Sequence, residues 1–239
     1  LASATFSLSG PASYSGSGEL WTNREAIVGE YTITYGDVSG YKTPAPQRKT
    51  LIRAGTLTFT GEYMGIGIIE VRTNLATASF NLSGPAIYSG TGKSWTKTEV
   101  PVGEYAIIYD DVPSYGAPPS ETKTLTPGGV LTFIGEYKGI GTIEVRTNQA
   151  TATFNLSGPV SFSGSGESWA QTGAPTGEYI ITYGDVPGYK TPLPEAKKLP
   201  LDGTITFTGG YIGAGTIKVY TNLASATFSL SGPASYSGS

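Results

Sequence analysis

The chain has no cysteine and no histidine, and only one methionine. The first two absences remove thiol nucleophiles, histidine general bases, disulfides and almost every zinc site together. Charged residues are sparse, at 14% of the chain, and nearly balanced, with a net charge of −3. There is no basic run of the kind that marks a nucleic-acid partner. No stretch approaches the roughly 18 consecutive apolar residues of a membrane-spanning helix. No cofactor and no enzymatic activity are expected from this inventory. The sequence opens at Leu1 without a signal-peptide pattern and stops at Ser239 inside a Gly/Ser turn. We therefore expect a portion of a longer protein.

What the chain does have is repetition. LASATFSLSGPASYSG opens at Leu1, LATASFNLSGPAIYSG at Leu75, QATATFNLSGPVSFSG at Gln149 and LASATFSLSGPASYSG again at Leu223, a period of 74. The seventeen residues Leu1–Ser17 recur unchanged as Leu223–Ser239. The first two units differ at 29 of 74 positions, five of them among the first seventeen. A fourth opening identical to the first therefore points to a super-repeat of 222 residues, the three-unit block. Repetition at such a period is the signature of a tandem array, in which each unit packs mainly on its neighbours.

Within a unit the apolar residues alternate with period two, the pattern of half-buried strands. Ile143 and Val145 share one face; so do Ala152, Phe154 and Leu156; Tyr31, Ile33 and Tyr35; and Leu57, Phe59 and Tyr63. Turn signals rich in Gly and Pro separate these runs, and no window carries a 3.6-residue period. The fold class expected is all-β, with tandem small Ig-like or prealbumin-like β-sandwich domains in a linear array. Differences between units fall in turns, as at 42–46 against 116–120. The aromatic positions Phe6/Phe80/Phe154, Trp21/Trp95/Trp169, Tyr31/Tyr105/Tyr179 and Phe59/Phe133/Phe207 hardly change and read as core.

Paired glycines two apart, Gly65/Gly67, Gly139/Gly141 and Gly213/Gly215, lie between two strand patterns in every unit. A connection of about four residues, from a strand ending at Tyr137 to one beginning at Thr142, is expected there as the inter-repeat junction. This places complete domains at 67–140 and 141–214. Residues 1–66 then form a domain lacking its first strand, and 215–239 the opening strands of a further one.

In this frame the unit resembles the PEGA domain. The likeness covers essentially the whole chain and is carried by PxGEY (Pro101 to Tyr105, Pro175 to Tyr179) and the GY turn (Gly188-Tyr189). Ile27 replaces the proline in the first unit and Ser114 the glycine in the second. The resemblance implies a small β-sandwich of bacterial or archaeal surface proteins, often in tandem and used as a spacer. The similar B-type repeat of Gram-positive pili and adhesins carries a Lys–Asn isopeptide bond. That bond is not carried over, because Glu70, Glu144 and Lys218 occupy the corresponding outward position.

Candidate chemistry is thin. Asp37, Asp111 and Asp185 follow the central strand, with Asp110 adjacent to the second. They read as turn-capping side chains rather than calcium ligands, which require several clustered oxygens. An acid–base pairing with Glu30, Glu104 or Glu178 lacks any surrounding cleft. Trp21, Trp95 and Trp169 fit core or inter-domain packing better than a sugar platform. Asn81 and Asn155 match the N-glycosylation acceptor pattern on outward positions.

The reading is a structural repeat protein of an extracellular filament, stalk or sheath, located outside the cell or at its surface. Its expected partners are copies of itself or flanking repeats, with glycans as a further class. The alternative is a repetitive adhesin or carbohydrate-binding array. The strand Gly215–Asn222, with Thr216, Ile217, Lys218, Val219 and Tyr220 at its centre, is expected to pair with the domain formed by residues 1–66 of a following block. The duplicated Leu223–Ser239 favours a covalent array over donation between short chains.

Overall fold

The computed structural model describes residues 1–232 and 236–238. Every regular element among them is a β-strand. The chain divides into two compact units, Leu1–Gly141 and Thr142–Ser239.

Residues 67–137, within the first unit, form a complete sandwich. One sheet runs Glu121–Leu125, Gly103–Tyr109, Ser79–Ser83, Tyr88–Thr91, antiparallel throughout. The opposing sheet is centred on Met64–Thr73, which pairs in parallel with Val130–Gly135 and antiparallel with Ser94–Pro101. Inward residues of both sheets meet in one core. Ile69 and Val71 from the central strand pack with Phe80, Leu82, Tyr105, Ile107, Leu125 and Phe133. The period-two pattern accounts for this, because alternate residues of each strand point to the same face. A β-bulge between Gly67 and Ile69 is taken up by the opposite strand, where Glu99 sits at φ 56°.

The second unit repeats the scheme. Glu195–Leu199, Gly177–Tyr183, Thr153–Ser157 and Phe162–Ser165 form one sheet. The other is built on Lys138–Thr147, parallel to Thr204–Gly209. Ala152, Phe154 and Leu156 are buried as the alternation requires, and so are Ile143 and Val145.

Residues 1–63 form only the first of the two sheets: Gln47–Leu51, Gly29–Tyr35, Thr5–Ser9, Tyr14–Ser17. Leu57, Phe59 and Tyr63, expected on a strand, lie outside any regular strand. The counterparts of the Ser94–Pro101 and Val130–Gly135 strands are residues 20–27 and 56–61, and neither is paired. Both would bond to the same central strand, so its absence removes both pairings together.

At the other end, Ile212–Gly213 pairs with Tyr189–Lys190, and residues 214–221 bear no regular pairing. Beyond them Phe228–Leu230 pairs with Tyr236–Gly238 in the register of the first hairpin, Phe228 opposite Gly238 as Phe6 is opposite Gly16. The expected opening strands over 215–239 lie partly outside the described residues.

Candidate inter-repeat junction

Two of the three glycine pairs, Gly65/Gly67 and Gly139/Gly141, lie inside strands and not in a loop, whereas Gly213 ends a short strand and Gly215 lies beyond it. The four-residue connection expected between Tyr137 and Thr142 is absent: the strand Lys138–Thr147 runs through Gly139 and Gly141 without a break. Met64–Thr73 does the same through Gly65 and Gly67. The pairs are expected in a short connection between strands, but in a strand interior glycine more often marks a close backbone approach. A Cβ on Gly67 would lie 2.7 Å from the Gly129 carbonyl oxygen and 2.8 Å from Leu125 Cδ1. One on Gly65 would lie 2.9 Å from Val102 Cγ2.

Each such strand serves two repeats in succession. Met64 and Gly65 pair with Lys42 and Tyr41 of the preceding repeat. Ile66 is the crossing point: its N–H donates to Gly40 O and its carbonyl accepts from Gly128 N–H, both at 2.8 Å. Partners from the following repeat begin with Val102 N–H donating to Gly65 O and with Ile66 opposite Pro101, and from Gly67 onward all belong to that repeat, with Ile68 N–H donating to Gly129 O. The turns carrying Gly40 and Gly128 touch. A Cβ on Gly40, whose φ is +79°, would lie 2.5 Å from Gly128 N. The same crossing bond recurs as Ile140 N–H to Ser114 O and Ala214 N–H to Gly188 O. Around Gly213 and Gly215, however, a Cβ would meet nothing within 4 Å.

A clasp at the far end of the strand went unread in the sequence. Asn74 donates from Nδ2 to Tyr137 O at 2.8 Å and accepts from Tyr137 N–H at 2.9 Å. Asn148 does the same to Tyr211 at 2.9 and 2.8 Å. An amide side chain thus stands in for one more residue of ladder. The signal was present, since asparagine follows RT or YT in every unit. The clasped tyrosines are themselves fixed, with Tyr137 Oη donating to Asp110 O and Tyr211 Oη to Gly184 O.

The other candidates have structural surroundings. Thr43 donates to Asp37 and Thr191 to Asp185, tying each turn to the TP segment that follows. Ala117 replaces that threonine beside Asp111, where Asp110 instead accepts from Ser79 and Asn81. Glu30 pairs with Arg48 on the neighbouring strand, not with Asp37. No group of three acidic, His or Cys side chains converges on a cation position among the described residues. Trp95 and Trp169 are half-buried, edge-on to Phe80 and Phe154 at 5.5 Å. Trp21 keeps the same contact to Phe6 at 5.4 Å but is more exposed. Asn81 and Asn155 are exposed.

Burial pushes the Tyr109 and Tyr183 phenols up to about 12, with the nearby carboxylates of Glu121 and Glu195 adding to the shift. Both hydroxyls are buried and without a hydrogen-bond partner. In the first repeat Gln47 replaces that glutamate and donates to Tyr35 Oη at 3.4 Å.

No protein-family model matches the chain, and no curated protein does. Among solved structures it is similar to the Bacillus anthracis TIE protein at 14% identity, over 88% of this chain and 48% of that one, with a TM-score of 0.34. This chain thus spans about half the length of that protein. A streptococcal ancillary pilin matches at 12% identity over 83% and 81%, TM-score 0.36. The minor pilin of Streptococcus agalactiae matches at 11% identity over 65% and 100%, TM-score 0.33. None of these scores reaches 0.5, and the architecture described above rests on the strand pairing itself.

Proposed function

We propose that this chain is a structural segment of an extracellular filament, stalk or sheath, built from β-sandwich repeats that follow one another in a linear array. The observation that carries the reading is the shared strand. Met64–Thr73 closes the edge of one repeat with its first residues and fills the centre of the next with the remainder. There is no linker to swing at Ile66, because both its backbone groups are bonded, one to each repeat. Such an array gains length by adding copies of one unit, and its stability resides in nearest-neighbour contacts. The domains so joined are 67–140 and 141–214, flanked by 1–66 and 215–239. The PxGEY and GY elements that resemble PEGA domains fit this reading, which places the segment at the cell surface or beyond it.

Small-angle scattering on the purified chain tests the array. A rod-like profile, with a cross-section of one sandwich, is expected. A compact globular profile overturns the reading.

A further inference from the structure

We infer that Lys123 and Lys197 hold one free sheet edge of each complete repeat shut against a strand from a second copy, so that copies of this chain do not pair side by side along it. The inference goes beyond the array reading and does not depend on it, because every contact it uses lies inside one repeat.

In each complete repeat one strand of the parallel pair has an edge with no ladder. Val130–Gly135 pairs with Met64–Thr73, and Thr204–Gly209 with Lys138–Thr147, and neither has a second ladder among the described residues. Ile68 N–H donates to Gly129 O and Thr142 N–H to Gly203 O. Backbone groups alternate in direction along a strand, so those of Leu131 and Phe133 face the central strand, and those of Val130, Thr132 and Ile134 face outward. Such a row of outward N–H and C=O groups is a template for another strand. Val130 and Ile134 are 58% and 59% exposed, which adds apolar surface for an incoming strand to cover.

Lysine closes that row from the neighbouring sheet. Lys123 stands on Glu121–Leu125 and by alternation shares the inward face of the buried Leu125. Its Nζ reaches across the seam between the sheets and donates to Thr132 O at 3.0 Å. Lys197 makes the same contact to Thr206 O at 2.5 Å. Each ammonium is held there from two further sides. Glu121 and Glu195 pair with it at 2.7 and 3.0 Å, and the ring of Phe133 or Phe207 lies 5.0 or 5.3 Å away. The first repeat has the contact too, from Lys49 to Thr58 O at 2.7 Å, and there Gln47 covers the next such carbonyl, Thr60 O, at 2.6 Å. An apolar side chain would fill the inward position without the cost of desolvating a charge. What an ammonium adds is a donor aimed at the middle of the edge and a charge that an approaching strand would have to bury. The far edge of the same sheet is blunted in another way. Ser94–Pro101 carries the bulge with Glu99 at φ 56°, and Ser168–Pro175 has Gly173 at φ 69° in that place.

The test uses the full chain with Lys123→Met and Lys197→Met, which keep an unbranched stem and remove the donor and the charge. The control is Lys93→Met with Lys198→Met, an equal loss of charge at exposed positions. Sedimentation from about 10 µM to about 1 mM is expected to show concentration-dependent dimers or larger species in the first variant, and the control is expected to match the unaltered chain. Amide exchange at Thr132, Ile134, Thr206 and Thr208 is expected to slow by at least about tenfold as the first variant associates. Lys123→Met alone should show this at Thr132 and Ile134 only. Lys123→Arg with Lys197→Arg, which keeps a donor and a charge, should behave as the unaltered chain. Absence of association overturns the inference, and if stability falls at the same time the lysines are clamps between the two sheets. Association without protection of those amides, or equal association in the control or the arginine variant, overturns it as well.

Discussion

Residues 1–63 and 67–137 carry the same pattern of residues and reach different structures. Leu51, Leu57 and Phe59 in the first are matched by Leu125, Leu131 and Phe133 in the second, residue for residue. The first set is half-exposed and the second buried. Neither composition nor strand propensity differs enough to explain this. The difference is one strand: Ile69 and Val71 lie between the two flanking strands of the complete repeat, and the residues of this sequence include no counterpart of that strand for the first repeat. A sheet missing its centre loses two ladders and one wall of its core together, so burial here belongs to the assembly and not to the residue.

The comparison can be broken most directly at the paired phenylalanines. Phe133→Ala should destabilise its repeat by about 3–5 kcal/mol, the usual loss for a buried aromatic. Phe59→Ala should cost less than about half of that, because its ring already meets solvent. Denaturant unfolding followed by residue-resolved amide exchange reads the two separately. Equal losses would show that the first repeat is closed in solution.

A smaller effect is expected at the junction glycines. Gly67→Ala forces a methyl against Gly129 O and Leu125 and should cost about 1–3 kcal/mol, the range of overpacking. Gly215→Ala meets open space and should stay within about 0.5 kcal/mol in the isolated chain. A loss at Gly215 matching that at Gly67 would mean that another segment packs against it.

The smallest effect at neutral pH concerns Tyr109. Its hydroxyl has no partner, so Tyr109→Phe should change stability at pH 7 by no more than about 1 kcal/mol. Alkali separates the variants. The folded phenol is raised to about 12 from the ordinary 10, so the folded state holds a proton that the unfolded chain releases first. That contribution is complete below pH 10 and is lost as pH rises through about 12. Tyr109→Phe should flatten this decline in the 67–137 repeat, as read from denaturant midpoints at pH 9 and 11. An unchanged decline would place the alkaline sensitivity elsewhere.

The all-β class, the inward residues and the 74-residue period were legible from the sequence, because alternation and repetition are local properties of the chain. Tyr31, Ile33, Phe154 and Leu156 point inward because neighbouring residues on a strand must face opposite sides. The glycine pairs were visible as a junction, but the expected connection is absent where the strands run through Gly65/Gly67 and Gly139/Gly141. A glycine needed for φ and a glycine needed for space look alike in one dimension, and only the approach of Gly129 and Leu125 to Gly67 distinguishes them. The Asn74–Tyr137 clasp spans 63 residues, so a constant asparagine could be seen but not its partner. The sequence by itself determined which strands this protein can form and which of their faces are apolar. Tertiary structure alone decided which of those faces are covered, because a central strand must be shared between repeats before either of its flanks can pair.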